Sequence, residues 1–329
     1  GYTHQQLDEV DMDVIEPYLK LVKDVIANHD EKLAERIHQW IAYPLQHPGE
    51  RNGVALVIIG EEGTGKTLFT DTVCDLFGRY AQRNVNDMAE IVGDFNSGRD
   101  GKQIMVCNEL TSVDLGKLTN SDVLKSPITD DTFRLNEKNL PRRTAENVNN
   151  FIFVSNNMDC IRLTGRARRY QAMETSNDSL QNPDMLKPLY KENRTAEFLN
   201  NLYPYYKTYD LTNYDKNLLI ETSTRKIMME ASKSSYELFC EEYSSYLNSG
   251  MICSVAFSSY KTFCEENNFK CCASNTFGCK LKPYCERNRY SEEGQRVWKY
   301  VLNKTYRQKL VNDGFLDDDG FVEPVQESD

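Results

Sequence analysis

The sequence predicts an α/β fold with a parallel central sheet, a helical region before it and a smaller module after it. The run VALVIIG at 54–60 is rich in β-branched residues, which is typical of a strand buried on both faces. Apolar runs recur at 103–107 and 150–155, with helical stretches between them. This alternation of strands and helices is the pattern of a doubly wound sheet.

Length, composition and charge narrow the class of protein. A chain of 329 residues with 40% apolar side chains predicts one large domain and a smaller one. No apolar run approaches the roughly 20 residues that span a bilayer, and the start lacks a signal-peptide pattern, so we expect an intracellular protein without membrane contact. The net charge of -11 excludes a protein that coats nucleic acid with its whole surface, so any such contact is local.

The cysteines predict reduced thiols rather than a disulfide framework. Ten are present in a chain without a secretory signal, and six of them fall between 253 and 285. These six include no CxxC pair, and the adjacent Cys271 and Cys272 cannot easily bind one tetrahedral ion. We therefore do not expect a zinc site.

Residues 1–50 are predicted to form a helical region. Apolar residues recur at helical spacing from Val14 to Ile41, as in Ile15, Leu19 and Val22. The segment HPGERNG at 47–53 interrupts this pattern and precedes the first strand. The sheet domain is expected to span 51–175.

The strongest motif follows the first strand. Residues 60–67, GEEGTGKT, fit the G-x-x-x-x-G-K-[ST] pattern and precede a helical segment. Such glycines let successive backbone N–H groups point at phosphate oxygens. The motif predicts a P-loop that binds ATP and Mg²⁺, with Lys66 on the β and γ phosphates and the Thr67 hydroxyl on the metal. Its nucleotide-binding residues are Gly60, Gly63, Thr64, Gly65, Lys66 and Thr67.

The ends of the next two predicted strands supply polar side chains. The strand at 103–107 leads into Asn108 and Glu109, and we expect Glu109 to polarise the attacking water. At the position of Asn108, P-loop ATPases more commonly have an acid. The amide oxygen of Asn108 can accept a hydrogen bond but carries no charge. The strand at 150–155 ends beside Asn156, which is placed to contact the γ-phosphate. An ordinary solvated Glu and a turn-forming Asn are the alternatives.

A hairpin with a basic tip is predicted between these two strands. The segment 128–143 alternates apolar and polar residues until Asn139 and Pro141 interrupt it. Lys138, Arg142 and Arg143 would hold a phosphate backbone by charge and without reading bases. A solvated charged loop is the alternative.

A basic cluster follows the third strand. It consists of Arg162, Arg166, Arg168 and Arg169. An arginine at this distance can reach the γ-phosphate held by a neighbouring subunit and stabilise the transition state. Arg168 and Arg169 are the candidates, and we expect at least one of the pair to make a structural salt bridge instead.

The remaining chain is predicted to be a helical linker or lid at 176–233 and a module at 234–329. In the module, candidate helices precede RNRYSEEGQRVWKYVL, which predicts a β-hairpin turning at Glu293 and Gly294. Helices followed by a hairpin suggest a winged-helix-like domain. We hypothesise that it binds duplex DNA or a partner. The basic residues behind this hypothesis are Lys280, Lys282, Arg287 and Arg289.

In the order of its motifs the sequence resembles the superfamily 3 helicases, and among them the helicase halves of phage, plasmid and large-DNA-virus primase-helicases. The matching stretches are HQWIAYPLQHPGERNGVALVIIGEEGTGKT, DFNSGRDGKQIMVCNEL, SPITDDTFRLNEK, FIFVSNN and RARRY. The resemblance continues through the linker and the C-terminal module.

The resemblance implies an AAA+-like ATPase that assembles as a hexamer, with ATP sites between subunits and single-stranded DNA in the central channel. It implies that Glu109 is catalytic, that Lys138 contacts DNA and that Asn156 is the sensor, with Arg168 or Arg169 as the finger. No primase motif is visible, so a priming activity would come from a region elsewhere in the same protein or from a partner. The expected location is the host cytoplasm or nucleoid, or the nucleus of a eukaryotic host.

Two other functions share the same ATPase residues. An AAA+ replication initiator or loader would remodel DNA without processive unwinding. A nucleotide-switched scaffold ATPase would bind protein partners, which suits the acidic surface. Dependence of hydrolysis on DNA and on the basic hairpin distinguishes the three.

Overall fold

A computed structural model describes residues 2–4, 7, 9–93, 96–108, 124–158, 160–161, 163, 167–191, 193–292 and 295–317. The chain divides into two compact units, Gly1–Ser232 and Lys233–Asp329. Within the described ranges, none of the helices has the length and apolar character that a membrane crossing requires.

The first unit begins with two helices where the apolar spacing predicted them. They are α1 (Met12–Lys20) and α2 (Glu31–Gln46), with a π-helical turn at Leu21–Ile26 between them. Asp30 caps α2, because its carboxylate accepts hydrogen bonds from the backbone N–H groups of Lys32 and Leu33. The indole of Trp40, which is fully buried, donates to the carbonyl of Val54 at 2.7 Å. This bond ties α2 to the start of the first strand.

The central sheet of this unit is parallel throughout, as the sequence predicted. Its five described strands are arranged in the order β2-β3-β6-β1-β7, and β4 pairs antiparallel with β5 in a separate hairpin. The strands are β1 (Ala55–Ile59), β2 (Ala81–Val85), β3 (Ile104–Asn108), β4 (Thr132–Leu135), β5 (Arg143–Glu146), β6 (Asn150–Ser155) and β7 (Tyr170–Glu174). The later helices are α3 (Lys66–Phe77), α4 (Ala89–Val92), α5 (Lys125–Thr129), α6 (Asp178–Gln181), α7 (Ala196–Lys207) and α8 (Ser223–Ala231).

Strand β1 lies inside the sheet and is buried on both faces. Leu56 and Ile58 belong to the core that contains α1, α2, α3 and α7, whereas Val57 and Ile59 belong to a second core on the opposite face. This alternation explains why the sequence of β1 shows no polar positions. The predicted mixed α/β fold with a parallel central sheet is confirmed.

The segment after β7 packs under the amino-terminal helices. It contains a 3-10 helix at Pro183–Leu189 followed by α7, and the buried side chains of Phe198, Leu202 and Tyr206 lie in the same core as Tyr18. The region predicted as a linker or lid therefore shares its core with the amino-terminal helices. The proposed domain limits stay a prediction.

The second unit is helical with a three-stranded antiparallel sheet in the order β8-β10-β9. Phe239, Tyr260 and Phe277 are buried at the centre of its own core. Glu292 pairs with Gln295, so the predicted hairpin is present, although its turn residues lie outside the described ranges. The elements are α9 (Ser235–Glu242), α10 (Ser244–Ser249), β8 (Met251–Ile252), α11 (Cys253–Glu266), α12 (Ser274–Leu281), β9 (Cys285–Glu292), β10 (Gln295–Leu302) and α13 (Lys304–Asn312).

Candidate nucleotide-binding site

The glycine-rich loop at 60–67 joins the carboxyl end of β1 to the first turn of α3. Gly63 and Gly65 have positive φ angles of 85° and 96°, and Gly65 is the N-cap of α3. Side chains strongly disfavour this backbone region, so glycine is needed at both positions. The loop therefore turns sharply at the start of the helix, where backbone N–H groups are available to an anion.

Side chains pack closely around two glycines of the loop. A Cβ on Gly60 would lie 1.9 Å from the hydroxyl of Thr175, and one on Gly65 would lie 3.0 Å from a methyl of Leu21. The same Thr175 hydroxyl donates to the Thr64 hydroxyl at 3.1 Å. Thr175, which directly follows β7, therefore packs against the loop.

Lys66 is held inside the loop. Its side chain is only 7% exposed, and its Nζ donates to the carbonyls of Gly60 at 2.7 Å and Glu61 at 2.6 Å. Burial lowers the pKa of Lys66, while the carboxylates of Glu62 and Glu61 act in the opposite direction. The loop's own carbonyls therefore hold the ammonium in place.

The structure brings Asn108 and Asn156 to the same place as the loop. Asn108 ends β3 next to Val154 of β6, and its Nδ2 donates to Oδ1 of Asn84 at 2.9 Å. Asn156 follows β6 and is exposed. A cavity of about 420 Å³ is lined by Gly63, Gly65, Lys66, Thr67, Asn108 and Asn156, among others. Glu109 lies outside the described residues.

A second, apolar cavity adjoins the first, and the sequence motifs did not indicate it. Its volume is about 240 Å³, and Leu186 lines both cavities. Its other apolar walls come from Pro17, Leu21, Met185 and Pro188. At its rim, Lys20 and Glu16 form an ion pair of 2.9 Å. The walls come from segments more than 160 residues apart in the sequence, so no local pattern could have revealed them.

Arg168 and Arg169 are not near the phosphate loop of their own chain. They directly precede β7, whose first residue, Tyr170, pairs with Ala55 at the start of β1. The carbonyl of Arg169 accepts a hydrogen bond from the N–H of Ala55 at 2.7 Å. Five residues of β1 separate this edge of the sheet from the loop, which is about 16 Å at the usual rise of a strand.

The predicted basic hairpin is present, but Arg143 is not at its tip. Leu135 of β4 pairs with Arg143 of β5, so Arg143 is a strand residue. Its guanidinium donates to Asp100 and lies 3.8 Å from the carboxylate of Glu137. The tip itself carries the exposed Lys138, followed by exposed residues up to Arg142. The loop between the two strands is seven residues long, residues 136–142, so Arg143 falls in the strand that follows it.

The sequence is similar to a family of unknown function and to a phage protein. Residues 58–169 match a family described as "Family of unknown function (DUF5906)". The chain is 30% identical over 162 residues to the DNA primase-polymerase of Nitratiruptor phage NrS-1, a match that covers 48% of this chain and 22% of that protein. This chain therefore spans less than a quarter of the relative's length.

Solved structures show the same fold. The apo structure of the NrS-1 C-terminal region (305–718) is similar with a TM-score of 0.68 and 20% identity, over 92% of this chain and 78% of that one. A second apo structure of that region, the A form, has a TM-score of 0.64 and 19% identity, over the same shares of the two chains.

Proposed function

We propose that this chain is the ATP-driven motor of a replicative DNA helicase from a virus or mobile element, moving on single-stranded DNA as a hexameric ring. One observation carries the proposal: the P-loop, Asn108 and Asn156 meet around a single cavity at the carboxyl ends of β1, β3 and β6. Ligands of open parallel sheets bind at this edge. The name of the phage relative, a DNA primase-polymerase, supports a role in DNA replication.

The loop suits the triphosphate of ATP, and the apolar cavity suits the base. Lys66 would exchange its hydrogen bonds to the carbonyls of Gly60 and Glu61 for contacts to phosphate oxygens. The base would pack on Leu186, which lines both cavities, and on Leu21. Because Gly63 and Gly65 carry no side chains and adopt positive φ angles, the loop backbone can turn its N–H groups toward the phosphates.

Mg²⁺ would neutralise charge on the phosphates. Thr67, exposed at the mouth of the loop, would hold it. Asn108 keeps its amide nitrogen on Asn84, which leaves its oxygen as an acceptor for water in the cavity. We assign Glu109 the role of orienting that water, and Asn156 that of contacting the γ-phosphate.

The arginine finger would act between subunits. Since Arg168 and Arg169 lie at the opposite edge of the sheet from their own loop, only a second copy of the chain could bring such an arginine to the γ-phosphate. The ring would place Lys138 and Arg142 of the hairpin on DNA in its channel, while Arg143, which pairs with Asp100, would hold the hairpin in shape. A primase or polymerase region would act in the same longer protein or as a partner.

ATP hydrolysis with and without single-stranded DNA tests the proposal, with particle size followed by light scattering. We expect a large ring whose hydrolysis is stimulated by DNA, and we expect Lys66→Ala to abolish hydrolysis. Lys32→Ala, at an exposed lysine of α2, is the matched control and should behave as wild type. DNA-independent hydrolysis in a small species would contradict the helicase and favour a nucleotide-switched scaffold, whereas stimulation that survives loss of the hairpin charges would favour a loader.

A further inference from the structure

The β9–β10 hairpin of the second unit presents two different faces. Residues paired directly across an antiparallel ladder lie on the same face. Arg289 pairs with Trp298, and Ser291 pairs with Arg296. Arg287, two residues before Arg289, shares this face as well. We call this surface, made of Arg287, Arg289, Arg296 and Trp298, the tryptophan face.

On the same side of the hairpin, the end far from the turn is anchored in the core of the second unit. Tyr300 is 7% exposed, and a Cβ on Gly278 would lie 2.7 Å from its hydroxyl, so α12 packs closely against Tyr300. Trp298 is two residues further toward the turn, about 7 Å away at the usual rise of a strand. It is 44% exposed. The outer half of the hairpin therefore carries a large aromatic ring that the core does not cover.

Two arginines lie beside the ring of Trp298. The guanidinium carbon of Arg287 lies 4.7 Å from the ring centroid of Trp298, and that of Arg289 lies 5.8 Å from it. Both arginines and Arg296 are exposed. Among the described side chains of β9 and β10, none on this side is acidic, and Glu286 alternates onto the other side. In a chain with a net charge of -11, this is a local surface of the opposite sign.

We propose that the tryptophan face is a second nucleic-acid site, which stacks an unpaired base of single-stranded DNA on Trp298 while Arg287, Arg289 and Arg296 contact the phosphates. Charge complementarity favours a polyanion. The exposed ring favours a single strand, because unpaired bases stack on aromatic side chains and guanidinium planes whereas duplex bases are already stacked. This differs from the duplex contact that the basic residues alone suggested.

The site deepens the proposed function, and it rests on DNA being the track of the motor. The tryptophan face would hold the strand on the second unit, and binding there would not require ATP. Its test is therefore separate from the test of hydrolysis. Trp298→Ala should leave hydrolysis without DNA unchanged, because Trp298 belongs to the second unit and the P-loop to the first.

Tryptophan fluorescence tests the site directly in the full chain. The chain has two tryptophans, and Trp40 is fully buried, so a change on adding DNA reports Trp298. Without nucleotide, a thymidine oligomer of about 15 residues should quench the emission, since a site of this kind covers about that length or less. A duplex of equal length should quench it much less. In Trp298→Ala, affinity for the oligomer should fall about tenfold.

Salt and control variants complete the experiment. Replacing Arg287 and Arg289 by alanine should lower the salt dependence of binding by about two counterions. Tyr246→Ala, at an aromatic residue 67% exposed, and Lys304→Ala, at an exposed lysine, should keep wild-type affinity.

Three results would overturn the proposal. They are an unchanged affinity in Trp298→Ala, equal quenching by duplex and single strand, and equal quenching by polyglutamate, which would indicate an acidic protein partner. If DNA quenches the emission of the wild-type protein but does not stimulate its ATP hydrolysis, the result would count against the motor and leave this site supported.

Discussion

At the scale of single residues, burial changes the chemistry of groups that no motif marks. His38 on α2 is 7% exposed, and its Nδ1 lies 2.9 Å from the hydroxyl of Tyr206. Burial lowers the pKa of His38 from 6.5 to about 4. The imidazole is therefore neutral in the folded protein at pH values where the unfolded chain is already protonated.

This shift predicts a loss of stability in mild acid. Because the folded pKa is below the unfolded one, the contribution of His38 is complete above pH 6.5 and is lost as the pH falls toward 4. Between about pH 7.5 and about pH 5, wild type should lose about 2 kcal/mol more unfolding free energy than His38→Gln. Urea titrations at both values measure it. His47→Gln, at the exposed histidine that follows α2 as its C-cap, should follow wild type, and equal losses in all three proteins would contradict the prediction.

At the scale of elements, ion pairs hold the P-loop helix and the basic hairpin in place. The carboxylates of Asp71 and Asp75 on α3 pair with Arg83 of β2 and with Arg194, whose side chain is only 4% exposed. These pairs join the helix that starts at the phosphate loop to the edge strand and to the segment before α7. Loss of Arg194 would leave the partly buried Asp71 and Asp75 with Arg83 as their remaining cation.

The β4–β5 hairpin allows a structural role to be separated from DNA binding. Arg143 is paired with Asp100, whereas Lys138 is exposed at the tip. If the pair is structural, Arg143→Ala and Asp100→Ala should raise amide hydrogen exchange in β4 and β5 equally, and the double variant should add little. Lys138→Ala should leave exchange unchanged and lower DNA-stimulated hydrolysis.

The same variants can contradict a structural role for the Arg143–Asp100 pair. If Arg143→Ala weakens DNA binding while Asp100→Ala does not, then Arg143 contacts DNA directly and its ion pair is incidental. Surface pairs of this kind contribute only about 0–1 kcal/mol, so hydrogen exchange is a better measure than global unfolding.

At the scale of the whole molecule, the proposed ring would divide one ATP site between two copies of the chain. The P-loop and the arginines that precede β7 lie at opposite edges of one sheet. A complete hydrolytic site in the proposed ring would therefore combine Lys66 of one copy with Arg168 or Arg169 of the next.

Mixing two inactive variants tests this arrangement. Lys66→Ala chains and chains with both Arg168 and Arg169 replaced by alanine should each hydrolyse little ATP alone. When the two are mixed and allowed to exchange subunits, hydrolysis should reappear, because some interfaces join an intact loop to an intact arginine. Mixing Lys66→Ala with itself at the same total concentration is the control. If the mixture stays inactive although a tag on one variant co-purifies the other, the arginines do not act between subunits.

The local features of this protein could be predicted from its sequence. The positive-φ glycines of the loop at 60–67, the two-sided apolar run of β1 and the pairing of the β9–β10 hairpin depend on neighbours within a few residues. Backbone sterics and side-chain periodicity decide these features, so the pattern of residues contains them. The fold class and the meeting of the loop with Asn108 and Asn156 followed, because parallel strands end at the same edge of a sheet.

Only the tertiary structure decided the features that depend on distant partners. Alternation did not show that Arg143 is bound to Asp100, and the order of arginines along the chain did not show which edge of the sheet they occupy. The apolar cavity beside the P-loop joins Leu21 to Leu186, and the tryptophan face depends on strand register and on α12 covering Tyr300 but not Trp298. The physical reason is the same in each case: burial and ion pairing arise from contacts between segments far apart in sequence, and no local pattern specifies which segments meet.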